Sequence, residues 1–497
     1  MEARSRGTSR APAARMRNEL VFGVMVSAVL SGAAMLACSD SSGDTSGPDS
    51  GTTPEAAPPT EAGPGVDSSM EPDADAAAPA LPADVWAAIA MQSPLPAVPA
   101  DSTSAVADNA AAATLGQMLF FEKSYSGPLA VDGTVANGGL GAIGDTGKVA
   151  CASCHSGTVL DDRRSKPGNV SLGTDFGTRR ALALVNASFY TWTNWGGRFD
   201  SQWSLPPAVA ENAKIMKSTR LDVAHMIYAK YKTEYEAVFG ALDPRLDPAN
   251  ANAADFPPSG KPKALAGDPD GPWELMAAAD RTIANTVFAN FGKAIAAYMR
   301  KLVSRDAAFD KFVAGGNTSG NTAISASAIN GIKVFVGKGA CIQCHSGPHF
   351  EDGQFHALGV PQTGPNVPAV DLGRFTDTPT LLASAFNTNG AFSANVNTGK
   401  LTGLVQDVAQ KGQFRTKGLR GVGVTGPYMH SGQLATLEDV VAFYNQGGGD
   451  AADAGEVKDP KVKPLGLTAQ ESADLVEFMK TLTGADVPAA LNVNTSK

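Results

Sequence analysis

Two five-residue motifs constrain this 497-residue chain more than any other feature: CASCH at 151–155 and CIQCH at 341–345. In each, two cysteines stand three positions apart and a histidine follows directly. On a helical turn, residues i and i+3 share a face, so both thiols can add to the two vinyl groups of one porphyrin. The histidine at i+4 then turns its imidazole toward the iron. This is the c-type haem attachment pattern. A zinc site would need four converging ligands, and thioredoxin-like chemistry has no use for the histidine. Cys151, Cys154, Cys341 and Cys344 are therefore read as haem attachment thiols, and His155 and His345 as proximal iron ligands. The one further cysteine is Cys38, so these are local pairs and not a disulfide framework.

The N-terminus reads as a targeting segment. Arg4, Arg6, Arg10, Arg15 and Arg17 precede an uncharged apolar run from Leu20 to Leu36, which ends in small residues at Cys38. That run suits a secretory signal better than a membrane-spanning helix. A cysteine at the cleavage point resembles a bacterial lipobox and implies a lipid anchor on Cys38; plain secretion is the alternative. Residues 1–37 are thus a signal peptide. Residues 38–81, without one Lys or Arg, read as a flexible tether. Loss of the leader removes five arginines and two glutamates and takes the net charge from −9 to −12. An acidic mature chain argues against nucleic acid as a partner and leaves the membrane to the lipid anchor alone.

Helical patterns dominate the remainder. Residues 221–240 and 281–304 carry apolar residues three and four apart. Residues 467–484 open with a Thr468/Glu471 capping box and close on glycine. Residues 436–449 can be capped by Thr436 with Asp439 and closed by Gly447 in a left-handed turn. Leu437, Val440, Val441 and Tyr444 share one face of that helix, and spacing alone makes Tyr444 a core aromatic. The Pro/Gly/Asp-rich stretch 241–272 reads as a long loop. No internal repeat is evident beyond the two haem motifs. The expected architecture is mainly α, in two cytochrome c-like haem domains with long connecting loops. Their expected spans are 82–310, N-terminal and peroxidatic, and 311–497, C-terminal and electron-transferring, with a closing helix.

From about residue 112 to 485 the chain resembles the bacterial di-haem cytochrome c peroxidases, in the branch that includes MauG. The resemblance rests on ordered landmarks: LGQMLFFEKSYSG, GTRRALALVNASFYTWTNWGGRFDSQW, GKAIAAYMRKL, FEDGQFHALGV, DLGRF and LRGVGVTGPYMHSGQLATLEDVVAFY. It implies that the haem of His155 meets peroxide and the haem of His345 handles electron transfer. Trp195 then matches the tryptophan between the haems, where an indole can relay an electron; the alternative is a packing residue. Tyr444, nineteen residues after Thr425, falls at the distal ligand of the second haem, where many peroxidases have methionine. A phenolate there stabilises Fe(III) and lowers the potential. His430 matches a position at the haem edge that bonds a propionate. His225, His349 and His356 read as surface or structural histidines.

Three departures from the family pattern bear on function. Leu172 stands where many peroxidases carry a movable distal histidine, which implies an open peroxidatic iron. Leu205 and Ile215 stand where polar distal residues are usual, and Glu211 is the nearest carboxylate in sequence that can serve as acid/base; a structural glutamate is the alternative. A calcium between the domains is implied, with carbonyls of Thr425 and Pro427 as ligands, but Arg180 replaces the usual asparagine. The leading expectation is an exported, lipid-anchored peroxidase. It would reduce hydrogen peroxide with electrons from a small cytochrome c or cupredoxin. A MauG-like oxidase that modifies a partner protein, and a non-enzymatic di-haem carrier or sensor, are the alternatives.

Overall fold

The computed structural model describes residues 80–132, 139–451 and 455–497. The expected signal peptide, Cys38 and nearly all of the tether lie outside the described residues. Twelve α-helices are found among the described residues. They are α1 (Ala83–Ala90), α2 (Ala110–Phe121), α3 (Cys151–Cys154), α4 (Leu205–Glu211), α5 (Arg220–Phe239) and α6 (Pro272–Leu275). The second group is α7 (Ala278–Met299), α8 (Ala308–Gly315), α9 (Ala326–Val336), α10 (Arg374–Ala383), α11 (Leu437–Asn445) and α12 (Ala469–Lys480). Two short strands, β1 (Phe355–Ala357) and β2 (Gln413–Arg415), pair antiparallel with His356 opposite Phe414. The fold is mainly α, as the sequence predicts. No helix among the described residues is long and apolar enough to cross a membrane.

Helix ends follow the local chemistry. Thr219 and Asp222 cap α5 reciprocally, Thr436 and Asp439 cap α11, and Thr468 and Glu471 cap α12. Gly447 closes α11 with φ +91°, donating its N–H to the Tyr444 carbonyl. Helix α12 departs from expectation at its end. It stops at Lys480, and Gly484 instead makes a close approach to the Arg305 carbonyl.

Apolar burial is concentrated in two main clusters. The first joins α2, α4, α5 and α7 through residues such as Leu115, Leu119, Ala210, Ile227 and Phe288. The second joins α1, α8, α9, α11 and α12 through Ile89, Phe309, Phe335, Val441 and Phe478. Helix α1, at the start of the span expected for the N-terminal domain, packs in this second cluster. In both clusters the principal helix pair crosses at a glycine. A Cβ on Gly116 of α2 would stand 1.9 Å from the Ala294 carbonyl of α7, and one on Gly331 of α9 would stand 2.0 Å from the Asp474 carbonyl of α12. The stretch 241–272 is largely irregular, with short 3-10 turns at Pro244–Leu246 and Ala253–Asp255. Arg245 gathers Asp243, Asp255 and Asp280 around it.

Candidate active site

Each CxxCH motif folds as a single turn: α3 at Cys151–Cys154 and a 3-10 turn at Cys341–Gln343. The four cysteines are unpaired. Burial pushes the Cys151 and Cys341 thiols up to about 12 and Cys154 up to about 11, so these three are not poised as free thiolate nucleophiles. Each motif borders a cavity. The first is lined by Cys151, Cys154, His155, Leu205, Val209, Ile215 and Met299, among others. The second is lined by Cys341, Cys344, His345, Val360, Phe414, Val440 and Tyr444, among others.

The two histidines are held in the same way. His155 Nδ1 lies 3.3 Å from the Leu160 carbonyl, and His345 Nδ1 lies 3.1 Å from the Phe350 carbonyl. Both acceptors are five residues on. Leu160 (φ +49°) and Phe350 (φ +56°) are both fully buried in left-handed backbone, an uncommon conformation for such side chains. The strained turn aims the carbonyl at the ring, so Nδ1 carries the proton and Nε2 keeps its lone pair for a metal. Burial also lowers the pKa of both rings, which favours the neutral, ligating form. This pairing of turns is a local repeat that reaches past the motifs, and the sequence reading did not find it. Its signal is the shared CHSG followed three residues later by a bulky apolar residue. Paired thiols, oriented imidazoles and apolar walls fit a covalently attached haem in each cavity.

Trp195, Arg415 and Lys417 line both cavities and so form the wall between them. Trp195 donates its indole N–H to the Arg180 carbonyl at 2.7 Å, and its own carbonyl accepts the Arg415 N–H at 2.8 Å. Around it, Arg179 makes a two-pronged pair with Asp371 (2.6 and 2.7 Å) and reaches Asp377 at 2.6 Å. Arg198 also binds Asp377, and Arg374 donates to the carbonyls of Gly196 and Gly197. Gly196 is required there, because a Cβ would stand 2.2 Å from the Asp377 carboxylate. His430 sits on the second-cavity side of Trp195, 6.4 Å from it ring to ring and stacked on Phe414 at 3.8 Å. Its Nε2 is bonded to Gln362 at 2.7 Å, and burial drives its pKa down to about 3. Sequence reasoning missed Arg415, Lys417 and Tyr190. The Arg415 guanidinium lies 3.5 Å from the centre of the Tyr190 ring, and the Gly418 N–H bonds the Tyr190 hydroxyl. Burial raises the phenol pKa, but Lys417 and Arg415 outweigh it, and the net shift is downward.

Other expected residues separate clearly. Tyr444 does reach the second cavity, alongside Val440 from the same helix, and burial pushes its phenol pKa well above the ordinary value. Leu205 and Ile215 line the first cavity, whereas Leu172 is buried in the core with its carbonyl bonded to Arg164. Glu211 is a correction. It does not line the first cavity; its two oxygens are bonded by the Arg220 guanidinium at 2.8 and 2.9 Å, and the pair braces α4 against α5. Among the described residues, no carboxylate lines that cavity. His225 bonds two loop carbonyls, of Leu246 and Pro257, away from both cavities. His349 packs on Tyr190. His356 lines the second cavity, clamped between Asp352 and Asp459. Cys344, Asp352 and His356 lie close together. That thiol belongs to an attachment motif and the imidazole is already bonded at both nitrogens, so the group is not a separate metal centre.

Residues 110–318 match the family model for the di-haem cytochrome c peroxidases. The chain is 32% identical over 400 residues to the cytochrome-c peroxidase IdrP1 of Denitromonas iodatirespirans, spanning 78% of this chain and 85% of that protein. It is 28% identical over 349 residues to the methylamine utilization protein MauG of Methylorubrum extorquens, spanning 70% and 76% of the two. Among solved structures, a MauG-like protein associated with microbial copper homeostasis shares the fold. Its TM-score is 0.52 at 22% identity, over 81% of this chain and 97% of that one.

Proposed function

Because this chain belongs to the di-haem cytochrome c peroxidase family, an oxidoreductase family carrying two c-type haems, we propose that it reduces hydrogen peroxide with electrons from a small external carrier. The observation that carries this reading is the shared wall: Trp195 lines the cavity of His155 and the cavity of His345 at once. Cys151, Cys154 and His155 hold one haem, Cys341, Cys344 and His345 the other. When bound, the haem irons supply peroxide binding and one-electron chemistry.

The protein's own groups then divide the work. In the first cavity Leu205, Val209 and Ile215 offer no side chain that could ligate iron, which leaves room for a small ligand. In the second, Tyr444 would hold the haem iron through its phenol oxygen, and His430 would support the haem edge from its stack on Phe414. Trp195 bridges the two, oriented through its bond to the Arg180 carbonyl. Protons for the departing oxygen come from water or from neutral polar groups, since Glu211 is occupied by Arg220. The arginine-led leader and Cys38 support a periplasmic enzyme on a lipid anchor. A cytochrome c or a cupredoxin serves as donor.

The test is peroxide-dependent oxidation of a reduced small cytochrome by the di-haem holoprotein. Turnover supports the reading, and its absence with every small cytochrome and cupredoxin donor tried overturns it. The second reading, oxidation of residues on a partner protein, is favoured by Tyr444 at the cavity of His345 together with the apolar first cavity. A modified tryptophan or tyrosine in a partner that co-purifies would establish it.

A further inference from the structure

The junction between the segment after the first haem motif and the segment leading to α11 is organised around one buried side chain. Arg180 is 4% exposed. Its Nη2 donates to the carbonyls of Asp162 (2.7 Å) and Gly426 (3.2 Å), and its Nη1 to the carbonyl of Ser165 (3.4 Å). The buried Asp161 carboxylate lies 3.6 Å away. The backbone of Arg180 works in the same place. Its N–H is bonded to the His430 carbonyl at 2.7 Å, and its carbonyl accepts the Trp195 indole N–H. One residue thus touches the loop behind the first haem, the loop carrying His430, and the tryptophan between the cavities.

The resemblance to the family implies a calcium ion here, held through carbonyls of Thr425 and Pro427. The residues present do not fit one. Calcium requires six to eight oxygen ligands at close range, carboxylates, carbonyls or waters, and no cation among them. Here the carbonyl between those two expected ligands, that of Gly426, is already bonded by a guanidinium. Two buried carboxylates act on that guanidinium: Asp162 is already bonded by the Ser165 and Ser171 hydroxyls, and Asp161 stands between two arginines, Arg163 at 2.6 Å and Arg180 at 3.6 Å. A divalent ion placed beside Arg180 would meet a fixed positive charge in a buried setting, where repulsion is poorly screened.

We propose that Arg180 is itself the cation of this junction, its guanidinium gathering the carbonyls that a metal would otherwise gather, so that the holoprotein neither binds nor needs calcium. Because the guanidinium is covalently part of the chain, the placement of Trp195 does not depend on an exchangeable ion. Arg180 is a positioning residue: it acts through Trp195 and the His430 loop. The proposal concerns the junction and stands whether peroxide or a partner protein is the substrate.

The experiment compares the di-haem holoprotein and its Arg180→Asn variant after dialysis against a calcium chelator, with and without added calcium chloride. The readouts are bound calcium by elemental analysis, thermal midpoint and the visible haem spectrum. The wild type is expected to hold well under one equivalent of calcium and to show no shift in midpoint or spectrum when calcium is added. Arg180→Asn restores a neutral oxygen donor; it is expected to have a lowered midpoint, to take up about one equivalent, and to regain stability with calcium by mass action. Stoichiometric calcium in the wild type after chelation overturns the proposal. A folded Arg180→Asn variant that is as stable as the wild type and indifferent to calcium also overturns it. If the variant does not fold, the wild-type calcium content and midpoint decide the question alone.

Discussion

Replacing Trp195 with phenylalanine separates a relay from a packing residue by magnitude. Phenylalanine keeps an apolar ring in the wall but cannot donate to the Arg180 carbonyl, so the 2.7 Å bond is lost. A bond of that kind contributes about 1 kcal/mol net, and even if the whole of it were felt in the transition state the rate would fall about fivefold. A benzene ring is much harder to oxidise than an indole. If the electron passes by brief oxidation of residue 195, the loss should therefore exceed about a hundredfold, equivalent to about 2.7 kcal/mol. The two expectations differ by more than a factor of ten. The assay is stopped-flow absorption of the reduced di-haem protein mixed with peroxide, following oxidation of the low-spin haem, with the thermal midpoint measured in parallel. A fall of less than about tenfold with a midpoint shift of only a few degrees would refute the relay and leave Trp195 as packing.

Tyr444→Phe is expected to convert the low-spin ferric signal of the second haem to high spin while leaving the first unchanged; an unaltered low-spin spectrum would show that another group holds that position. Gly331→Ala should destabilise the second half. Alanine gains about 1 kcal/mol of helix propensity, but its Cβ would stand 2.0 Å from the Asp474 carbonyl, and overpacking against backbone costs about 3 kcal/mol or more. A midpoint equal to or above the wild type would sink that account. Glu122 supplies the acid limb of stability. It is 2% exposed and accepts from Lys230 (2.6 Å), Tyr231 (2.5 Å) and the Ser124 N–H. Burial raises its pKa, but those bonds outweigh it and lower it from 4.5 to about 2. A depressed carboxylate stabilises the fold above its unfolded pKa. That contribution, about 3 kcal/mol at neutral pH, is lost as pH falls from about 4.5 to about 2. Glu122→Gln should flatten the denaturation profile in this window, and an unchanged acid limb would contradict it.

What the sequence revealed and what it hid follow from distance along the chain. The N-terminal ends of α11 and α12 were legible because a capping box lies within four residues and needs no tertiary partner. The haem motifs were legible for the same reason. The network around Trp195 was not, since Arg179 meets Asp371 and Asp377 across 192 and 198 residues. DLGRF and NWGGR could be quoted as landmarks, but nothing in either says that Asp377, two residues past the first, packs its carboxylate against Gly196 of the second. Glu211 shows the opposite error. It was chosen as the nearest carboxylate in sequence, yet Arg220, nine residues on, takes both its oxygens, and the helix carries it away from the cavity. Position 180 was read as a mismatch with a metal-ligand pattern. Only the folded chain brings its guanidinium to the carbonyl of Gly426, 246 residues away.

The two halves begin from one plan and diverge in what faces the iron. Each has a glycine-crossed helix pair, a CHSG turn, and a buried left-handed residue whose carbonyl fixes the tautomer of the proximal histidine. Such shared frames position the imidazole but do not decide the chemistry. That depends on the opposite wall. The lining of the first cavity includes Leu205, Val209 and Ile215, none of which can ligate iron. In the second it includes a tyrosine on a well-capped helix. An iron with one protein ligand can take peroxide, whereas an iron held on both faces can only pass electrons. With Tyr444 as a ligand of the second iron, this asymmetry supports the proposed division, with substrate at the haem of His155 and electron storage at the haem of His345. On that proposal the substrate centre draws its second electron from a site it does not touch, which calls for a rigid wall between the two. Trp195, pinned at its indole nitrogen by Arg180 and at its carbonyl by Arg415, would meet that demand.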